Sequence, residues 1–266
     1  MAGGSCEEGR TVLSRAIAIL DSFSDDRPEQ TLGSIVRATA IPPATVHRIL
    51  AELVGWGGLE RCGRGTYRVG LRLWQLGALA PTSRQLRDVA MPYLGELYEA
   101  THQTVHLAVL DGLEVLYVEK FSARPERGSA PVVSGVGQRL PSHATGPGKV
   151  LLAHSPRELV DRVIAAGLAR LTTSTITDPA RLNAALAEVR RSGVCLSRDE
   201  TTVGASSVAA PVFGPERSVI AAVSVVVPSR IGNLTTLVPA VRAACMGISR
   251  AYGSVTHKPD RARPAG

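Results

Sequence analysis

At 266 residues, with 44% hydrophobic side chains and a formal net charge of +7, the chain is long enough for one or two domains with real cores and too apolar to be disordered. No apolar run approaches the roughly 18 residues a membrane-spanning helix needs, and the start MAGGSCEEGR lacks a signal peptide's apolar stretch, so the sequence predicts a cytoplasmic protein with no membrane partner. The positive balance points to a polyanionic partner, while Cys6, Cys62, Cys195 and Cys245 lack CxxC or zinc spacing, so neither a disulfide framework nor a metal site is expected.

Residues 1–10 read as a flexible tail. Val12, Ala16, Ile19, Leu20 and Phe23 recur at helical spacing up to the breaker Asp25-Asp26-Arg27-Pro28. Thr31 can cap a second helix carrying Leu32, Ile35 and Val36, which Ile41-Pro42-Pro43 interrupts. Pro43 suits a first helical position, where its missing N–H costs nothing, and Val46, Ile49, Leu50 and Leu53 then share one face. Two short helices with a tight turn fit a helix-turn-helix, whose second helix meets base edges in the major groove. A plain helical hairpin with a solvated outer face would show the same pattern. The next residues separate the two readings: Leu59–Arg61 and Thr66–Val69 read as strands around Cys62-Gly63-Arg64-Gly65, a basic wing. Candidate DNA contacts are Ser34, Pro43, Ala44, Thr45, His47 and Arg48 from the helices and Arg61, Arg64, Tyr67 and Arg68 from the wing, the arginines serving phosphates or the minor groove.

Leu71, Trp74, Leu76 and Leu79 suggest a linker helix that Pro81 stops, with Trp74 either core or dimer contact, and a longer amphipathic helix follows from Ser83 with Pro92 inside it. The runs starting at Thr104 and Val115, joined by Asp111-Gly112, read as an antiparallel hairpin. His102 and His106 are four apart, but His106 lies in the strand pattern, which favours a sheet histidine over a ligand. In Ala144-Thr145-Gly146-Pro147-Gly148 small residues feed an apolar helix starting near Lys149, where backbone N–H groups could hold an anion or merely allow close packing. It is not a phosphate-binding Walker loop, which needs glycine at His143 and Ser or Thr at Val150.

Ser155-Pro156-Arg157-Glu158 reads as a capping box, Asp178-Pro179 opens another helix that Gly193 closes, and Val194–Ser197, Ser207–Phe213 and Val219–Val227 read as strands. A last helix covers Leu234–Tyr252. The expected architecture is α+β with a largely antiparallel sheet, divided as tail 1–10, DNA-binding domain 11–70, linker helix 71–84, second domain 85–253, and a disordered basic tail 254–266.

RAIAILDSF, IPPATVHRILAELVGWGGLER and TYRVGLRLWQLG in the first half, then TVHLAVLDGLEVLYVEK, VGQRLPSHATGPGKVLLA, TITDPARL and ETTVGASSVAAPVF, together resemble the IclR family of bacterial transcriptional regulators from Thr11 to Gly253. The resemblance implies an N-terminal winged helix-turn-helix, a linker helix, a GAF-like effector-binding domain, and a homodimer or dimer of dimers acting on double-stranded operator DNA; a repressor is the favoured reading, with the sign of regulation not written in the chain. It implies effector contacts at Ala144, Thr145, Gly146, Pro147, Asp199, Ser207 and Ser224, with Glu200 in the same acidic segment. Ser207 stands where many members have cysteine, Val226 replaces a second hydroxyl, and Ser197 and Arg198 replace frequent carboxylates, a set that suits a small organic acid or an aromatic or aliphatic metabolite. No cofactor is expected. The alternative is a hydrolase or transferase fused to a DNA-binding module, with Ser207, His143 and Asp199 as a triad, although no nucleophile elbow or metal motif accompanies them. A membrane-surface or RNA-binding protein would need a basic amphipathic helix or a stacking platform that the chain lacks.

Overall fold

The computed structural model describes residues 11–24, 27–79, 81–122, 134–230 and 233–256. The chain divides into two units, Met1–Arg84 and Gln85–Gly266. The expected tail at 1–10, with Cys6, and residues from 257 onwards lie outside the described residues.

In the first unit, α1 (Val12–Asp21) is capped by Thr11, whose hydroxyl accepts from Ser14 N at 3.1 Å. A short strand, β1 (Glu29–Thr31), runs straight into α2 (Leu32–Thr39), which Thr31 caps by accepting from Ser34 N at 3.2 Å. Ala40 takes left-handed backbone (φ 56°) to end α2, and α3 (Pro43–Trp56) starts with Pro43 at its first position. The wing is β2 (Leu59–Cys62) and β3 (Thr66–Val69), and β1 pairs with the far side of β3 to give the order β1-β3-β2. Strand β1 escapes a sequence reading because three residues are too few to show a period of two. Ile19, Ile35, Ile41, Val46, Ile49, Leu50, Leu59 and Tyr67 make the core. Their burial is what fixes α3 with its polar face outward.

The linker helix and the longer helix after it are both present, with shifted bounds. α4 (Leu71–Gly77) ends early, and Pro81 opens α5 (Pro81–Thr101) in addition to limiting what precedes it. α5 begins in the first unit and continues into the second.

In the second unit β4 (Thr104–Asp111) and β5 (Glu114–Phe121) form the hairpin at Asp111-Gly112. After them come β6 (Arg139–Pro141), α6 (Gly146–Ala153), α7 (Arg157–Ala165), α8 (Pro179–Ser192), β7 (Cys195–Arg198), β8 (Ala205–Phe213), β9 (Val219–Pro228) and α9 (Val238–Thr256). The six strands run β6-β5-β4-β9-β8-β7, with every described pairing antiparallel.

The alternation of β8 and β9 sorts their side chains between two layers. Val208, Ala210, Val212, Val223, Val225 and Val227 pack with Leu86, Leu94 and Leu97 of α5 and Val241 and Ile248 of α9. On the opposite face Ala209 and Ala222 pack with Val150–Ala153 of α6 and with Leu182 and Leu186 of α8. Each fully buried valine or leucine stabilises by roughly 1.5–3 kcal/mol before the cost of ordering the chain. Ser207 and Ser224 share the second, α6-facing register, and this places both hydroxyls toward the cavity described below.

Three local expectations are corrected. α6 begins at Gly146 and not near Lys149, because Thr145 caps it by accepting from Gly148 N at 3.0 Å. Ser155 makes no capping box: its hydroxyl donates back to Leu151 O at 2.9 Å, and Pro156 occupies the cap of α7 without a side-chain bond. The last helix starts at Val238 after a 3-10 turn over Leu234–Leu237 and reaches Thr256, so residues 254–256 are helical where a disordered tail was expected.

Candidate functional site

α3 lays Val46, Ile49 and Leu50 on the core and turns Pro43, Ala44, His47 and Arg48 to solvent, with Thr45 half-buried. Arg61 and Arg64 are exposed on the wing, Arg64 at its tip with a φ of 65°. Ser34 is half-buried and commits its proton to Thr31 O at 2.8 Å. Tyr67 departs from its expected role. The alternation of β3 points it inward, 7% exposed, into the core. Arg68, on the outer face, is held by Glu60 through Nε and Nη2 at 2.9 and 2.7 Å, and would have to exchange that carboxylate for a phosphate.

In the second unit the start of α6, strands β5, β8 and β9 and the turn after β7 enclose a cavity of about 50 Å³ lined by residues including Tyr117, Ser134, Thr145, Gly146, Pro147, Glu200, Ser207 and Ser224. Gly146 leaves room for the Ser207 hydroxyl there. A Cβ at that position would stand 2.6 Å from Ser207 Oγ. The Tyr117 hydroxyl bonds the Thr145 side chain, and burial pushes its pKa well up, so it stays protonated.

Five of the seven expected effector residues, Thr145, Gly146, Pro147, Ser207 and Ser224, line the cavity. Asp199 and Ala144 are not in its lining. Left-handed backbone at Asp199 (φ 57°) swings its carboxylate to Gly204 N at 2.7 Å and Ser229 Oγ at 2.6 Å. Its neighbour Glu200 turns inward instead. Ala144 contributes its carbonyl to Thr201 Oγ1 at 2.7 Å.

The sequence reading also missed what Glu200 meets. Lys149 of α6 is 2% exposed and donates to Glu200 Oε1, which also accepts from Ser197 Oγ at 2.9 Å. A lone lysine in an otherwise apolar GPGKVLLA is the signal that could have found this pair, since a buried ammonium requires a partner. Ser197 stands where the resemblance leads one to expect a carboxylate, and its hydroxyl supports the glutamate three residues on.

Behind the cavity His106 Nε2 bonds Ser134 Oγ at 2.9 Å, and its ring meets Tyr117 edge-on at 5.0 Å between centroids. Burial, and secondarily the Lys120 charge, push its pKa down to about 3 from 6.5. The unfolded chain therefore binds the extra proton between those values, and stability from this group is complete above pH 6.5 and falls as pH drops toward 3. Relative to a His106→Leu variant, the wild type should lose about 2–3 kcal/mol between pH 6.5 and about pH 4.5. Urea midpoints of both proteins across that range check this, and parallel curves would show that His106 is not held neutral.

Residues 12–62 match the IclR helix-turn-helix domain, and residues 79–250 match the bacterial transcriptional regulator IclR C-terminal domain. The chain belongs to the IclR family. It is 33% identical over 246 residues to the HTH-type transcriptional regulator XynR of Escherichia coli, covering 91% of this chain and 96% of XynR. To the Pca regulon regulatory protein of Pseudomonas putida it is 33% identical over 229 residues, 85% of this chain and 76% of that one. Among solved structures, an IclR homolog from Microbacterium hydrocarbonoxydans, complexed with 4-hydroxybenzoate, superposes with a TM-score of 0.85 at 34% identity, over 92% of this chain and all of that one. This IclR protein is thus a DNA-binding transcriptional regulator of α+β build, not an enzyme. The paper triad does not assemble: His143 Nε2 bonds Ala169 O at 3.0 Å while Asp199 is held by Gly204 and Ser229. Among the described residues no helix is long and apolar enough to cross a membrane, and no cluster of His, Cys, Asp or Glu could hold a metal.

Proposed function

We propose that this protein is a cytoplasmic repressor that binds a palindromic operator as a homodimer, alone or as a dimer of dimers, with operator affinity set by a small molecule in the cavity beside α6. The observation that carries the reading is the cavity itself: Glu200 and Ser224 both line it, and each has a buried oxygen, Oε2 and Oγ, with no hydrogen-bond partner among the described residues. Buried polar atoms are satisfied in folded proteins, so two unserved oxygens on residues lining one cavity support a ligand position there. The complex of the Microbacterium relative with 4-hydroxybenzoate supports a small organic ligand.

Dimerisation is supported by exposed apolar side chains on the first unit, Val12, Leu13 and Ile17 of α1 and Leu71 and Trp74 of α4, with Trp74 70% exposed. A twofold dimer reads two half-sites, so a small change in their spacing costs several contacts at once. A path for that change leads from Ser134 on the cavity wall to α5. Lys120 Nζ donates to Ser134 O at 2.7 Å, Glu119 Oε1 accepts from Lys120 N at 3.0 Å, and Glu119 Oε2 accepts from Arg87 Nε of α5 at 2.5 Å. The ligand would favour one arrangement of these contacts, a population shift read out at the operator.

Ser224→Leu tests the reading. Its side chain fills the cavity and removes an unpartnered hydroxyl, so metabolite challenge should no longer change operator affinity, while ligand-free operator binding reports that the fold is intact. A response equal to wild type would place the effector elsewhere.

A further inference from the structure

We infer that the effector meets Glu200 with a hydrogen-bond donor, a hydroxyl or amino group, and that the cavity selects small hydroxylated or amino-bearing molecules over their deoxy or O-methyl counterparts. This rests on the cavity being the effector site. The two carboxylate oxygens of Glu200 are unequally served. Oε1 accepts from both Lys149 Nζ and Ser197 Oγ, whereas Oε2 is buried and, among the described residues, accepts from no group. A carboxylate paired with an ammonium can only accept. What approaches Oε2 must therefore donate.

The competing chemistries fail at this atom. A ligand carboxylate would set two anionic oxygens against each other, and a methyl or ether would leave Oε2 as poorly served as before. A hydroxyl or amine supplies a charge-assisted bond, the stronger kind, with Lys149 holding the acceptor in place. Ser224 Oγ, 1% exposed and unpartnered on the same wall, can give or take a proton and so serves a second polar group of either kind. The described lining residues include no lysine, arginine or histidine, so they offer no cation to neutralise a phosphate or dicarboxylate. A ligand acid group, where there is one, falls to the hydroxyls of Thr145, Ser207 and Ser224, away from Oε2.

The test is calorimetric titration of the full chain without DNA, using matched probes: 4-hydroxybenzoate against benzoate and 4-methoxybenzoate, lactate against propionate, glycolate against acetate. At least one hydroxylated probe should bind, with its matched partners weaker by about tenfold or more, as expected where a site is built to bond a ligand hydroxyl. The double variant Lys149→Met/Glu200→Met, which leaves no buried charge unpaired, should lose that preference. Partners binding within about twofold of each other, a hydroxyl preference that survives in the double variant, or no binding by any hydroxylated probe would overturn the inference. Because the readout omits DNA, the regulator reading is judged separately. A bound probe that leaves operator affinity unchanged would count against that reading and leave this inference standing.

Discussion

Lys149→Met should lower the stability of the second unit by about 3–5 kcal/mol, because it strands the Glu200 carboxylate in a buried site without its ammonium. Lys149 is 2% exposed and Glu200 7%, so neither end can be rescued by solvent at small cost. The double variant Lys149→Met/Glu200→Met should recover most of that loss, since replacing a buried pair by apolar side chains of similar volume is often neutral or favourable. Urea unfolding of the three proteins checks both statements. A single variant as stable as wild type would mean that the pair is open to water.

Arg48→Ala should weaken binding to the operator by about 1–3 kcal/mol, or roughly tenfold to a hundredfold, and relax base choice within one half-site. Arg64→Ala, at the wing tip, should weaken binding to operator and random DNA alike and reduce the salt slope by about one. The difference follows from position. Arg48 projects from the exposed face of α3, and Arg64 sits on a turn carrying no other reading side chain. Binding isotherms on both kinds of DNA at several salt concentrations separate the two. Equal effects of the two variants on specific and random DNA would remove Arg48 from base recognition.

Much of the fold was legible because its elements carry strong local signals. The period of α3, the Asp-Gly turn between β4 and β5, and the β-branched run of β9 each specify one local structure. Less local features were hidden. Tyr67 reads as a wing aromatic until the register of β3 with β1 and β2 assigns its face. Asp199 and Glu200 are indistinguishable in sequence, and a single left-handed residue decides which of them reaches the cavity. Lys149 and Glu200 are 51 residues apart, and only the packing of α6 over the sheet brings them together. Small residues at the start of α6 gave a partial signal: a Cβ at Gly146 would crowd Ser207 Oγ, and one at Gly148 would stand 2.1 Å from Ser142 O.

The most direct test of the regulator account is selection of genomic fragments bound by the purified protein at a stated salt concentration, followed by challenge of the best fragment with small hydroxylated metabolites. The account predicts a palindromic site with half-sites about one or more helical turns apart, whose affinity changes on challenge in the wild type and not in Ser224→Leu. Salt-sensitive binding that is indifferent to sequence, or a palindromic site whose affinity no metabolite changes, would contradict it.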